Sequence, residues 1–411
     1  MFFGPDFYNL IRTVIFMKSN LKIGSFVLAV LMCLTAVFAV GCTPTSLNKE
    51  WAYKTGDNEL AIGVYIYSLN LAYSQAQSFA SEQLDDYSKA NSDWLDKEIE
   101  DDDGNKQIAK DWIKEQADIM CKNYMVVDEQ LAKAGIELST EDTAAAEEQA
   151  ENYWNVGQYA SYGYVMPMKD DLEPYGISLE SFTYATTLYS AKYSKLFEAT
   201  YGKGGTEEVS DSELTDFFTE NYVDYSYFTV NLYESTTDES GTAKDAALSE
   251  DDAKKLTDEI DGYAEEINKG SSYSDVVAKY MENNNIEADP STSNVENIST
   301  SSLGEEVLDA LKELDSNKAS TLKVGSGDSA VYYLIYKNDI KNDVDDYIKS
   351  DTNRPNVLSN MKNDDFKDYL DGLAENLECE VNTSVLDKYQ ADLFFKAVIE
   401  TTQAATEGSD E

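Results

Sequence analysis

The chain has 411 residues, of which 32 are basic, 78 acidic and none histidine, for a net charge of −46. A phosphate backbone or an anionic lipid surface would repel most of such a molecule, which argues against nucleic-acid binding. The missing histidine excludes Ser-His-Asp and Cys-His catalysis and zinc sites of the Cys₂His₂ kind.

Residues 1–16 form an upstream extension, after which Met17 to Lys22 is a short basic segment followed by Ile23 to Gly41, a run without a charged residue. At roughly 1.5 Å per residue that run nearly spans a hydrocarbon core, so its length alone does not separate a secretory signal from a spanning helix. The order of basic segment, apolar run, small residue and polar tether reads as a signal. Its end, Ala39-Val40-Gly41-Cys42, resembles the lipobox of bacterial lipoproteins, with Ala39 where leucine is usual. The resemblance implies cleavage before Cys42, a lipid on its sulfur and an extracytoplasmic protein held on the outer face of the membrane. Residues 42–50 are then a tether. Of the four cysteines only Cys121 and Cys379 remain for a disulfide, so there is no disulfide framework.

Trp51 to Thr55 reads as a strand, Gly56-Asp57-Asn58 as a turn, and Ile62 to about Ala80 as a helix with Val64, Tyr67, Leu71 and Ser74 on one face. A second helix is expected from Gln107 to Ala134 with Gly135 closing it, a third after Ser139 and a fourth from Phe182 to Tyr201. Ser210 caps a helix from Leu214 to Tyr222, after which Tyr225 to Tyr233 is rich in aromatic and β-branched residues and reads as a strand. Beyond it, Ser249 caps a helix whose apolar positions run from Ala253 to Ile267, and Tyr273 to Met281 forms another. A polar loop to Thr300 follows, then a helix carrying Leu303 to Leu314 and strands near Ser320–Lys323 and Val331–Tyr336. The chain closes with a helix over Leu358 to Leu373, a strand-like Glu378 to Asn382 and a last helix from Leu386 to Phe395.

Two motifs are weighed and set aside. Placing Gly104 of Glu100-Asp-Asp-Asp-Gly-Asn105 as the sixth residue of a calcium loop puts Ile99 first and Lys110 twelfth, so this is no EF-hand but a solvated acidic loop. Tyr201-Gly-Lys-Gly-Gly-Thr206 lacks the spacing of a phosphate loop and reads as a helix stop. The 29 tyrosines suit either core packing or an adaptable binding surface.

The layout resembles the lipid-anchored PrsA-type foldases and their SurA-type relatives. The resemblance rests on Val209-Ser-Asp-Ser-Glu-Leu214 with Phe217 and Asn221, on Glu250 to Gly270 with Tyr273 to Tyr280, and on Leu322-Lys-Val-Gly325 before Val331 to Ile335. It implies an α+β, predominantly helical protein: a helical chaperone-like domain over 51–222, a parvulin-like domain over 223–340 and a C-terminal segment over 341–397 packing on the first domain; beyond it, the small, polar and acidic composition of 398–411 reads as a disordered tail. The resemblance also implies unfolded or nascent secreted polypeptides as partners, with no cofactor and no metal. Where an active parvulin places histidines, this chain has Tyr227 and Tyr333. These two are the candidate peptide-groove residues, and weak or absent prolyl isomerase activity is expected. An active isomerase and a solute-binding lipoprotein are the alternatives.

Overall fold

The computed structural model describes residues 50–237 and 243–395. Cys42, the apolar run before it and the tail from 398 lie outside the described residues. Two compact units divide the chain, one of residues 1–207 and 364–411 and the other of residues 208–363.

In the first unit β1 (Trp51–Thr55) and β2 (Asn58–Ala61) form a hairpin that feeds α1 (Ile62–Gln83). The single stripe expected for α1 is an underestimate. All eight residues from Ile62 to Leu69 are buried, because other elements cover the helix on every side over its first two turns. A small hairpin, β3 (Glu98–Glu100) and β4 (Lys106–Ile108), holds the acidic run at its turn. There the Asp101 carboxylate accepts from the backbone N–H groups of Asp103 and Asn105, at 3.1 and 2.8 Å, which accounts for the local shape.

Helix α2 (Ala109–Ala134) packs along α1, with the small residues Ala76, Ala80 and Ala117 at zero exposure. It closes at Gly135, whose φ of 66° is the left-handed cap that a β-carbon would disfavour. Helix α3 (Thr140–Asn155) starts at Ser139, whose hydroxyl accepts from the Asp142 N–H at 3.0 Å. Short α4 (Met168–Leu172) and α5 (Leu179–Thr183) follow. The helix expected as one piece from Phe182 to Tyr201 is instead α5, a π-helical turn at Tyr184–Leu188 and α6 (Tyr189–Tyr201). Around that turn the Asp128 carboxylate receives the Tyr184 hydroxyl and the Lys192 ammonium, each at 2.6 Å.

The second unit opens with α7 (Asp211–Asn221), held by the reciprocal capping box of Ser210 and Glu213. Next come β5 (Tyr222–Asn231), the hairpin β6 (Tyr233–Thr237) and β7 (Ala243–Ala247), α8 (Glu250–Asn268) and α9 (Tyr273–Asn284). The expected polar loop to Thr300 contains a strand, β8 (Thr292–Asn297), paired antiparallel with β5. Helix α10 (Glu305–Glu313), β9 (Lys318–Val324) and β10 (Val331–Lys337) complete a four-stranded antiparallel sheet of order β8-β5-β10-β9. Asn268, at the end of α8, bonds both backbone groups of Ala319 on the edge strand β9, at 2.8 and 2.9 Å. Short α11 (Val344–Ile348) then leads to α12 (Arg354–Glu375). Buried Arg354 ties the start of that helix to the Val209 carbonyl and the Asp211 carboxylate, at 3.0 and 3.2 Å.

From residue 364 the chain belongs to the first unit again. Phe366 sits among Tyr193, Phe197 and Tyr201 with ring centroids 5.0 to 5.9 Å apart. Strand β11 (Glu380–Val381) pairs with β1, completing a three-stranded sheet of order β11-β1-β2. The expected last helix from Leu386 to Phe395 is interrupted. Helix α13 (Thr383–Leu386) ends in a turn, which lets Leu386, Tyr389, Ala391 and Phe394 all enter the core, a pattern that one straight helix would not satisfy. The protein is thus α+β and predominantly helical, a helical unit completed by the chain's C-terminal part and a smaller unit built on an antiparallel sheet.

Candidate functional site

Successive residues of a strand point to opposite faces, and this sets the chemistry of the second unit's sheet. One face carries Phe228 and Val230 of β5, Leu334 of β10 and Ala319 of β9, sealed by Ile260, Tyr263 and Ile267 of α8 and by Val276, Val277 and Tyr280 of α9. The other carries Val223, Tyr225 and Tyr227 of β5, Tyr333 and Ile335 of β10, and Leu322 and Val324 of β9. On this second face α10 buries Val307 and Leu311 against Ile335 and its neighbours, with Ile298, Leu303 and Leu314 packed beside them. Tyr227, Tyr333, Leu322 and Val324 are left half-buried.

The register explains why the two candidate tyrosines meet. Tyr227 pairs with Ile335 and Tyr333 with Thr229, so their side chains are diagonal neighbours on one face. Their ring centroids are 5.5 Å apart at 42°. Tyr225 lies 6.1 Å beyond Tyr227, nearly parallel at 20°, extending the aromatic strip along β5. Tyr225 is buried and donates to Glu296 of β8 at 3.1 Å; burial, and then that carboxylate, push its phenol up to about 12. The Tyr333 phenol is also raised, first by burial and then by Tyr227. Tyr332, one residue away, points to the opposite face and bonds Asp261 of α8 and Thr321 of β9, at 2.7 and 3.0 Å. Of these four strand tyrosines, Tyr225 and Tyr332 are therefore structural, and Tyr227 and Tyr333 line the half-open face.

This face offers aromatic and aliphatic surface and phenolic donors. A Tyr333 phenol shifted upward stays protonated near neutrality, so it can donate to a carbonyl but cannot act as base or nucleophile. Among the described residues no group of three or more Asp, Glu or Cys is arranged to hold a metal. Cys121 and Cys379 are both free thiols. Cys121 is fully buried, its thiol pushed far up by desolvation and therefore inert.

Sequence reasoning missed a carboxyl pair at one end of the sheet. Asp343, before α11, is raised to about 6, first by burial and then by Asp224 of β5, and its Oδ2 is buried without a hydrogen-bond partner. Asn338 donates to the Asp224 carboxylate at 2.8 Å. The first unit holds a separate cleft of about 330 Å³, floored by Val126, Leu373 and Leu377 and edged by the Glu129–Lys133 ion pair. Among the described residues no helix is long and apolar enough to cross a membrane.

No family model matches the chain, and no curated protein matches it. Among solved structures it is similar to foldase protein PrsA from Streptococcus pneumoniae, 16% identical, covering 69% of this chain and 95% of that one with a TM-score of 0.33. A second similar structure is the PrsA foldase of Lactococcus lactis, 14% identical over 84% of this chain and 98% of that one, TM-score 0.32. A third is PrsA from Bacillus subtilis, 13% identical over 70% and 95%, TM-score 0.25. All three carry the name of the family whose layout the sequence resembles.

Proposed function

We propose that the protein is an extracytoplasmic folding factor, anchored to the outer face of the membrane through lipidated Cys42, that binds unfolded secreted polypeptides without making or breaking bonds. The observation that carries this reading is the half-open sheet face, where Tyr227 and Tyr333 lie side by side and only partly buried. An extended peptide laid there would place apolar side chains on the rings and on Leu322 and Val324, with a phenol donating to a backbone carbonyl. The helical unit supplies further client-binding surface, and the high negative charge keeps complexes dispersed.

Prolyl isomerisation requires no proton transfer, only help over a barrier of about 18–20 kcal/mol. The face supports weak isomerase activity at most. The test is aggregation of an unfolded secreted client in the presence of the purified protein. Suppression that weakens in Tyr227→Ala/Tyr333→Ala is the expected result. No suppression at several-fold molar excess would overturn the folding-factor reading. A parallel proline-peptide assay should give rates near those of buffer; a large acceleration lost in Tyr227→Phe/Tyr333→Phe would make the protein an isomerase instead. Cys42→Ser should release the protein from the membrane, and retention through Ile23 to Gly41 would mean a spanning anchor.

A further inference from the structure

The first unit carries an exposed apolar feature of a different kind. Residues 156–167, Val-Gly-Gln-Tyr-Ala-Ser-Tyr-Gly-Tyr-Val-Met-Pro, contain no charge in a chain that is 27% charged. Tyr162 is 78% exposed, Tyr164 66% and Val165 67%, with Tyr159 and Met166 also exposed. Single exposed apolar residues need no explanation, but five within eight positions form a patch.

The loop is built to hold that patch out. The Met166 N–H bonds the Val156 carbonyl at 2.9 Å and closes the root. There Gly157, at φ 95°, passes so near Met166 that a β-carbon would lie 2.2 Å from its carbonyl oxygen, so only glycine fits. Inside the root, the Tyr162 and Tyr164 N–H groups both bond the Tyr159 carbonyl, at 3.0 and 3.2 Å. Trp154, just before the loop, is buried against Phe182 at 5.5 Å and fixes the root to the core.

The flanking charge narrows the partner. Glu147, Glu148 and Glu151 on one side and Asp170, Asp171 and Glu173 on the other are all exposed. The nearest cation in sequence, Lys169, is turned to the Asn155 side chain at 3.3 Å. Exposed carboxylates on both sequence flanks of the uncharged run disfavour an anionic bilayer or a second copy of this acidic chain. They favour cationic groups, which they attract and the ring faces then stabilise.

We propose that loop 156–167 is a docking surface for extended polypeptide segments in which lysine or arginine alternates with aromatic or aliphatic residues. The inference rests on the reading of the protein as a binder of unfolded chains and adds which clients it prefers and where it holds them. The tyrosines pack against the apolar side chains while the flanking carboxylates meet the cations.

The test uses a fluorescent disordered peptide of Lys alternating with Phe and Leu, a twin with Glu for Lys, and neutral and anionic phospholipid vesicles. Tyr162→Ser/Tyr164→Ser/Val165→Ser alters only exposed side chains, and its thermal unfolding should match the wild type. The wild type should bind the Lys peptide, more weakly at high salt, and the triple variant roughly tenfold more weakly, the scale set by loss of aromatic anchors. Glu148→Gln/Glu151→Gln/Glu173→Gln should lose affinity for the Lys peptide only. Equal affinity in the triple variant overturns the inference, as does equal binding of the Glu peptide. Loop-dependent sedimentation with vesicles would make the loop a membrane contact, and loop-dependent dimerisation a self-contact; either result overturns it too. Wild-type suppression of client aggregation with no effect of the loop variants would sink this inference and leave the folding-factor reading standing.

Discussion

The two faces of the second unit's sheet are made by the same strands and differ in almost every other respect. On the side of α8 and α9, Phe228 is at zero exposure and stacks on Tyr280 at 4.7 Å, while Leu334 and Ile260 are also wholly buried. On the side of α10, Ile335 is wholly buried while Tyr227 and Tyr333 are left only partly buried. Alternation along β5 thus puts the structural phenylalanine directly beside the candidate binding tyrosine. The difference separates residues whose loss unfolds the unit from residues whose loss changes what it binds.

The largest effect should come from the sealed face. Phe228→Ala removes a ring from a fully packed site and should cost about 3–5 kcal/mol, read as a drop in the denaturant midpoint of the second unit. Tyr227→Ala/Tyr333→Ala removes two rings from a half-open site, where water and neighbours fill part of the space. It should cost clearly less than Phe228→Ala and yet lower client binding more than any sealed-face change that leaves the unit folded. Equal stability losses would erase the distinction between the faces.

A smaller effect is expected at the end of the sheet, and it depends on pH. The Asp343 carboxyl is raised to about 6, mainly by burial and then by Asp224, so between about pH 4 and 6 the folded state binds more protons than the unfolded. Stability from this group is therefore fully present below about pH 4 and is lost as pH rises through 6. Other charges face the same pocket: Asp339 and Asp346 disfavour ionisation of Asp343 as well, and Asn338 donates to Asp224. Asp343→Asn should flatten the wild-type decline in thermal midpoint between pH 4 and 6 and raise stability above it. An unchanged pH profile would show that the decline does not come from Asp343.

Much of this architecture is legible in the sequence because its signals are local. Ser139, Ser210 and Ser249 each begin the helix that their side chains cap, and Gly135 ends α2. Strand β8 was missed because Thr292 to Asn297 is almost wholly polar and half exposed; what makes it a strand is the hydrogen-bonding edge of β5, a partner far away in sequence. The π-turn at Tyr184 has no composition signal, and the burial of α1 on all sides depends on how many elements surround it. In the candidate site Tyr227 and Tyr333 are singled out by the resemblance to parvulin-like domains, but their 5.5 Å approach follows from a register that only pairing fixes. The charge-free run 156–167 was visible in the sequence, and only its exposure makes it a surface.

The smallest change bears on what the half-open face does. Tyr227→Phe/Tyr333→Phe keeps both rings and removes both hydroxyls. If the face only packs against apolar side chains, affinity for an unfolded client should not move. If a phenol donates to a peptide carbonyl, each lost bond should weaken binding by about 0.5–1.5 kcal/mol while stability changes little, since no bond to another residue is described for either hydroxyl. The expected outcome is the second, measured as a higher Kd for a proline-containing peptide at unchanged thermal midpoint. A donor needs its proton, so wild-type affinity should also fall as Tyr333 ionises; burial raises Tyr333 above the ordinary tyrosine range and should move that fall to still higher pH. Loss of affinity in the phenylalanine variant without a matching alkaline fall in the wild type would remove the phenols as donors and leave the face as an apolar platform.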